Sequence, residues 1–287
     1  MVFLTPWLVG LAGLVMLPVG LVIYWSFTNF NLIEAPSWVG LHNYFSLAHD
    51  GDFWLSVRNT IYITVIGVPL GIILPLGVAL LLQRKTRAVA IYRTAIFLPA
   101  ILPPVAGALV WIWILNPDYG LLNAGLHLFH IPPIGWLSNP TYAKISLLMI
   151  VTWGAVGTNM VIFMAALNEI PDELYEAAVL DGATPRQRFR NVTLPMLGPV
   201  LFYTVVVGTV FFLQFFEQAF VVTANQLGAP ANSTLFYSIY LYENAFDFLK
   251  TGTAAAMAVI MFVATIAITG IFFAVQRRFV YYAGDRR

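Results

Sequence analysis

The sequence predicts an all-α integral membrane protein with six transmembrane helices and both termini in the cytoplasm. Three observations carry this: the composition, the uncharged windows along the chain, and the placement of the basic residues. Of 287 residues, 60% are hydrophobic and 9% charged, and the mean hydropathy is +0.83. A soluble domain carries roughly a quarter charged residues, so this chain cannot cover itself with polar groups in water and needs lipid as solvent. The net charge of +1 gives no nucleic-acid footprint. With no cysteine, disulfides and thiolate metal sites are excluded.

Six long windows lack any charge: 1–33, 59–83, 94–117, 145–168, 191–216 and 251–276. Each exceeds the roughly 20 residues that a helix needs to cross the hydrocarbon core. They set spans near 3–29, 59–83, 94–115, 145–167, 196–222 and 252–276 of one membrane domain covering 1–287. The first lacks a basic n-region and a small-residue cleavage site, so it reads as a membrane helix rather than a signal peptide. Pro99, Pro103 and Pro104 interrupt the third, which makes a hinge plausible there. Residues 119–143 are also uncharged, but Asn123, His127, His130, Pro132, Pro133, Asn139 and Pro140 break them up. They read as an extramembrane loop with a short helix at 121–129. Asn225, Gln226, Gly228, Pro230, Asn232 and Ser233 do the same within 221–242.

Six spans put both termini on one side. That side collects Arg84, Lys85, Arg87, Arg93, Arg186, Arg188, Arg190, Arg277, Arg278, Arg286 and Arg287, eleven basic residues against Arg58, Lys144 and Lys250 opposite. Basic residues concentrate on the cytoplasmic side, so the termini are expected there.

The most polar stretch lies on the same side, at 169–195. Pro171 suits a helix start, and Asp172, Glu173 and Glu176 complement the dipole of a first turn. Leu174, Ala177, Ala178 and Leu180 form an apolar strip that ends at Gly182, a natural terminator. Thr184-Pro185-Arg186-Gln187 has the capping-box pattern of a second helix. Two short helices joined by a glycine turn are expected, parallel to the cytoplasmic face. Nothing in them can perform chemistry. Two readings stand: a solvated amphipathic connector, or a knob whose small residues Ala177, Ala178, Gly182 and Ala183 admit the backbone of a cytoplasmic partner.

Glu176-Ala177-Ala178, Asp181-Gly182-Ala183 and Leu194-Pro195 resemble the EAA signature of permease subunits in binding-protein-dependent ABC importers. Nearly the whole chain is similar, and most of all to the carbohydrate-uptake branch (maltose, oligosaccharide and glycerol-phosphate permeases). Val39-Gly40-Leu41-His42-Asn43-Tyr44 resembles the motif before that branch's second span. Phe97-Leu98-Pro99, Asn116, Gly120 and Trp153 resemble features of its third and fourth spans. Phe215, Phe216, Glu217, Thr223, Pro230 and Thr234 resemble a pattern running out of the fifth. Gly252, Ala254 and Ala256 match the small-residue start of the last. Gly228-Ala229-Pro230 departs from the usual Gly-Gly-Pro, and Thr223 lies further from that proline than is typical.

The resemblance implies a type I importer permease fold in a prokaryotic cytoplasmic membrane and a coupling helix at Glu176–Ala183 seated in an ATPase subunit. It implies three kinds of partner besides lipid: a second homologous permease in a heterodimer, two ATP-binding subunits and an extracytoplasmic solute-binding protein. ATP and Mg would sit on the ATPase subunits and no cofactor on this chain, which is not itself an enzyme. The lysines agree: none of the three follows a phosphate-binding glycine loop.

Glu217, with Gln214 and Gln218 close by, is the one charged residue well inside an apolar run. An intramembrane acid is costly and marks a functional candidate. It either lines the translocation path, as that part of the fifth span does in the family, or makes a structural hydrogen bond. Phe215, Phe216 and Tyr203 offer flat faces to sugar rings or ordinary packing. Asn159, with Thr152 and Thr158, either lines the path or holds helices together. His127 and His130 lack a nearby carboxylate or thiol and read as a loop coincidence rather than a metal site. The rival function is an ion-coupled secondary transporter of a small solute. It would call for internal repeats and several intramembrane ionisable residues.

Overall fold

The computed structural model describes residues 4–83, 87–223 and 226–279. Arg84, Lys85, Arg286 and Arg287 of the basic side lie outside the described residues, as do the side chains of Arg87, Arg277 and Arg278. The described residues are helical apart from turns and one isolated bridge, Thr28 with Trp38.

The first span, α1, runs over Thr5–Trp25. It widens into a π-helical stretch at Leu11–Met16. Pro18 has no N–H for the carbonyl of Leu14, and a π-bulge is one way a helix absorbs that loss. After a turn comes α2, His42–Ala48, which the sequence did not announce. Here the Val39–Tyr44 motif explains itself: the buried Asn43 amide donates to the carbonyls of Ser26 (2.9 Å) and Thr28 (2.8 Å). The Tyr44 hydroxyl donates to Ser26 Oγ. Asn43 satisfies backbone carbonyls freed at the end of α1, and Tyr44 holds the Ser26 side chain beside them.

α3 spans Gly51–Leu81, beginning eight residues before the expected 59. Its start is set by Asp50, whose Oδ1 accepts from the N–H groups of Asp52 and Phe53. Asp52 and Arg58 sit on the helix beyond the apolar window, so the helix outruns that window. Pro75 lies inside α3 and cannot bond the carbonyl of Gly71. Asn159 Nδ2 supplies the missing donor at 3.0 Å from the neighbouring span.

The third span is the main correction. One helix over 94–115 was expected; the structure has α4, Arg87–Phe97, tightening to a 3₁₀ turn at Leu98–Ile101, and then α5, Pro104–Ile114. The two are bent by 104°. Pro103 and Pro104 are the cause, since neither has an N–H to continue the ladder. α6, Leu121–His127, falls within the helix expected at 121–129. Asn123 organises its loop, donating to the carbonyls of Pro117 and Ile134 and accepting from the N–H of Ile134 and the Trp136 indole.

α7 covers Pro140–Asn168, capped by Asn139 and five residues longer at its start than the expected 145. α8, Asp172–Leu180, and α9, Pro185–Arg188, form the polar stretch. A π stretch at Phe189–Thr193 and a turn at Leu194–Met196 lead into α10, Gly198–Leu213. Pro195 denies the Asn191 carbonyl its donor, the same device as Pro18 in α1. The expected fifth span 196–222 is interrupted at Gln214–Phe216 before α11, Glu217–Val222. α12, Tyr237–Tyr242, runs into a further π turn at Glu243–Asp247, and α13 covers Thr251–Phe279.

Among the described residues five helices are long and apolar enough to cross a membrane, and the bent α4–α5 pair passes the same test together. α3 is the hub, packed against α7 and α10. Buried side chains form one cluster around Ile63, Leu147, Phe215 and Phe236, and a second around Ala79, Met160, Phe163 and Leu197. None of the α1 window is buried, although its second half, Leu17–Trp25, packs against α13. It is held at its end, where the Gly252 N–H donates to the Phe30 carbonyl at 2.8 Å.

Candidate functional site

The α8–α9 pair is built from local signals. Pro171 precedes the first turn with extended backbone, and Asp172 and Glu173 occupy that turn. At the other end Ala183 N–H donates to the Ala178 carbonyl (2.8 Å) and Gly182 N–H to that of Val179 (3.0 Å). This is a Schellman closure, and Gly182 takes the left-handed conformation it requires, φ +72°. One residue later the expected capping box is formed: Thr184 N–H donates to Gln187 Oε1 (2.7 Å), and Gln187 N–H donates to Thr184 Oγ1 (3.4 Å). The Tyr175 hydroxyl lies 2.9 Å from Thr193 Oγ1, tying α8 to the approach of α10.

The pair closes its own backbone and buries none of its side chains: α8 has no buried residue, and neither has α9. Glu176, Ala177, Asp181 and Gly182 are exposed, Ala178 and Ala183 half-buried, and Leu194 and Pro195 exposed at the entry to α10. Leu180 is 88% exposed and Val179 53%. A folded apolar knob is therefore presented away from the membrane core. Behind it a cavity of about 730 Å³ separates α8–α9 from the ends of α3 and α7, with Gln83, Asn168, Tyr175 and Arg188 on its walls.

The five residues expected along a solute path are not brought together. Asn159 and Tyr203 line one cavity of about 330 Å³ between α3, α7 and α10. Gln214 and Phe216 line another of about 600 Å³ against α12 and α13. Glu217 is exposed at the first position of α11 and lines neither. Asn159 also bridges two spans through the Gly71 carbonyl, so both readings of that residue have a physical basis. His127 and His130 join no metal-holding cluster among the described residues.

With this geometry in hand, the profile of the family described as the binding-protein-dependent transport system inner membrane component matches residues 67–281. The chain belongs to that family. A probable ABC transporter permease, YesP, of Bacillus subtilis is 36% identical over 98% of this chain and 91% of its own. The lactose transport system permease LacF of Rhizobium radiobacter is 35% identical, covering 83% of this chain and 81% of its own. Among solved structures, a bacterial ABC transporter involved in import of the acidic polysaccharide alginate superposes with a TM-score of 0.85. It covers 98% of this permease and 95% of its own chain at 21% identity, a likeness of fold.

The departure from Gly-Gly-Pro in this permease is accommodated by hydrogen bonds. Gly228 has φ +76° and its carbonyl accepts from Thr234 N–H, while the Thr234 hydroxyl donates to the Ala229 carbonyl. Asn59 of α3 donates to the carbonyls of Asn232 and Leu235 at 3.0 Å, and Thr60 Oγ1 accepts from Tyr237 N–H. Asn59 was visible in the sequence only as the edge of an uncharged window. Its role in pinning this loop needs the fold, because its partners lie more than 170 residues away.

Beside this loop the half-buried Glu243 carboxyl is pushed above its ordinary value of 4.5, first by burial and then by Asp247 and Asp52. The folded chain then holds that proton more tightly than the unfolded chain. This group's contribution to stability is greatest below pH 4.5 and is lost as pH rises through its raised value. Glu243→Gln is expected to melt higher than wild type at neutral pH and to lose that part of the pH dependence. Melting curves of the detergent-solubilised protein at acid and neutral pH check this.

Proposed function

We propose that this permease is one of two membrane subunits through which an ATP-driven importer moves a sugar or sugar-like solute across the cytoplasmic membrane. The observation that carries the reading is the α8–α9 knob. Its turn is closed by a Schellman motif and a capping box, it is apolar at its tip and it buries none of its side chains, which is the form of a docking part. In this reading α4 and α5 count as one broken span, giving six, with both termini and α8–α9 in the cytoplasm. The surplus of basic residues on that side supports the orientation.

A second homologous permease completes the path, two ATP-binding subunits holding ATP and Mg meet the knobs, and an extracytoplasmic solute-binding protein docks on the outer loops. Closure of the ATPases pushes α8 through Glu176–Ala183, and the Tyr175–Thr193 contact passes the motion to α10. Relatives named for lactose and for trehalose and maltose support a carbohydrate solute.

The test is uptake by proteoliposomes holding the permease with its co-expressed partners. Uptake should require internal ATP and the binding protein and should survive ionophores. Uptake that runs without ATP and collapses with the ion gradient would instead establish a secondary transporter.

A further inference from the structure

The cavity behind the α8–α9 pair, about 730 Å³ in volume, carries two charged groups that do not meet. Among the described residues on its walls these are Arg188, at the end of α9, and Asp172, at the first position of α8. Arg188 Nε is buried without a hydrogen-bond partner, and neither side chain forms an ion pair with any described residue. Arg93 Nε is likewise unmet, but that guanidinium closes α3, its Nη2 donating to the Leu82 carbonyl at 2.7 Å. Arg188 has no such bond within its own chain. A donor on a cation is costly to shield from water unmet, so the position calls for an acceptor from outside the chain. The walls are also amphipathic. Gln83 and Asn168 stand just past α3 and at the end of α7, while Leu80, Leu167 and Phe189 make an apolar side.

We propose that this cavity binds the phosphoethanolamine head of a membrane lipid, its phosphate on Arg188 and its ammonium on Asp172. The inference rests on the cytoplasmic orientation in the importer reading and adds a lipid site to it. In that orientation the cavity lies where α3 and α7 leave their apolar windows, at the depth of the headgroups. Basic pockets between helices on this side of a membrane are suited to headgroup phosphates. The planar guanidinium presents parallel N–H groups that match two phosphate oxygens. Gln83 and Asn168 add amide donors for the oxygens that remain. Asp172 sets the charge of the guest. One cation and one anion on the walls suit a zwitterion, whereas a purely anionic head meets a like charge. A primary ammonium can donate to the carboxylate, and a quaternary one has no N–H to give. The apolar side covers the start of the acyl chains, where a free phosphate would gain nothing. A lipid so held would prop α8–α9 against the spans.

The test takes the assembled transporter, delipidated in detergent, and adds phosphatidylethanolamine, phosphatidylglycerol, phosphatidylcholine or inorganic phosphate. Retained lipid is counted by native mass spectrometry, and melting is followed in parallel. Wild type should hold one more phosphatidylethanolamine than Arg188→Gln, whose occupancy should fall about tenfold, the effect of losing a charge-assisted hydrogen bond. Phosphatidylethanolamine should raise the wild-type melting temperature and leave that of Arg188→Gln where it was. Without lipid the variant should melt no lower than wild type, because it removes an unmet donor. Asp172→Asn should take phosphatidylglycerol as readily as phosphatidylethanolamine, and it decides if Arg188→Gln does not assemble. Equal retention of the three lipids by wild type, or unchanged retention in Arg188→Gln, overturns the assignment. Protection by inorganic phosphate equal to that by phosphatidylethanolamine makes the guest a free anion and overturns it too. So does an assembled transporter that holds no lipid, which leaves Arg188 to a carboxylate of the ATPase. Neither ATP nor solute enters this measurement, so its failure is separate from that of the importer reading, which uptake decides.

Discussion

Gly182→Trp is expected to abolish solute-stimulated ATP hydrolysis in the assembled transporter while the chain still inserts and assembles in the membrane. Two effects combine. Gly182 holds φ +72°, where a side chain costs about 1–2 kcal/mol. That strain falls on the Schellman closure that ends α8. The position is otherwise open, with no atom within 4 Å of where a Cβ would stand, so the indole meets nothing in its own chain. It projects from the tip of the knob, where the ATPase groove would close. Gly182→Asn separates the two effects, because asparagine tolerates the left-handed conformation and adds little bulk. It should retain most of the stimulation. Stimulation by loaded binding protein, measured in proteoliposomes for both variants, checks this. Unchanged stimulation in Gly182→Trp would reduce α8–α9 to a connector.

The second large effect is structural. Gly252→Val should release α1 from α13. A Cβ at Gly252 would lie 2.1 Å from the Thr28 carbonyl oxygen and 3.2 Å from Phe30 N. These are backbone atoms, so no rotamer change relieves the clash. The same backbone is fixed from the other side by Asn43, which donates to Ser26 and Thr28. Moving it breaks those bonds and the one from Gly252 N–H to Phe30. Overpacking of this kind costs about 1–3 kcal/mol, and the lost hydrogen bonds add to it. Because the α1–α13 packing starts from this junction, the variant should melt well below wild type in detergent and expose the 26–43 junction to protease. An unchanged melting temperature would show that α1 is held elsewhere.

The polar stretch was legible because its structure is made by neighbours in sequence. Pro171, Gly182 and the Thr184–Gln187 pair each act over three or four residues, and each appears where the sequence put it. The spans were legible for a similar reason, since charge alone marks where a helix leaves lipid. Helix ends were not: Asp50 carries α3 past the apolar window, and an uncharged window cannot see a cap. The prolines announced a break in the third span, but not the size of its 104° bend.

The path residues were least legible. In a span that is apolar on every side, no periodicity tells which face a residue takes. Glu217 drew attention through its charge yet is exposed, while its neighbour Gln218 turns inward. Asn159 is engaged by a carbonyl that Pro75 frees 84 residues away in sequence, a link that only the fold reveals.

The most direct test of the docking claim uses the absence of native cysteine. Leu180→Cys places a single thiol at the tip of α8, where the side chain is 88% exposed, and Leu128→Cys places one beside α6, where it is 78% exposed. A short thiol–amine cross-linker is applied to each in membranes containing the co-expressed ATPase. A permease–ATPase adduct that changes in yield with ATP is expected from Leu180→Cys, and none from Leu128→Cys. Equal adducts from both, or none from Leu180→Cys in an ATPase-bound complex, would contradict it.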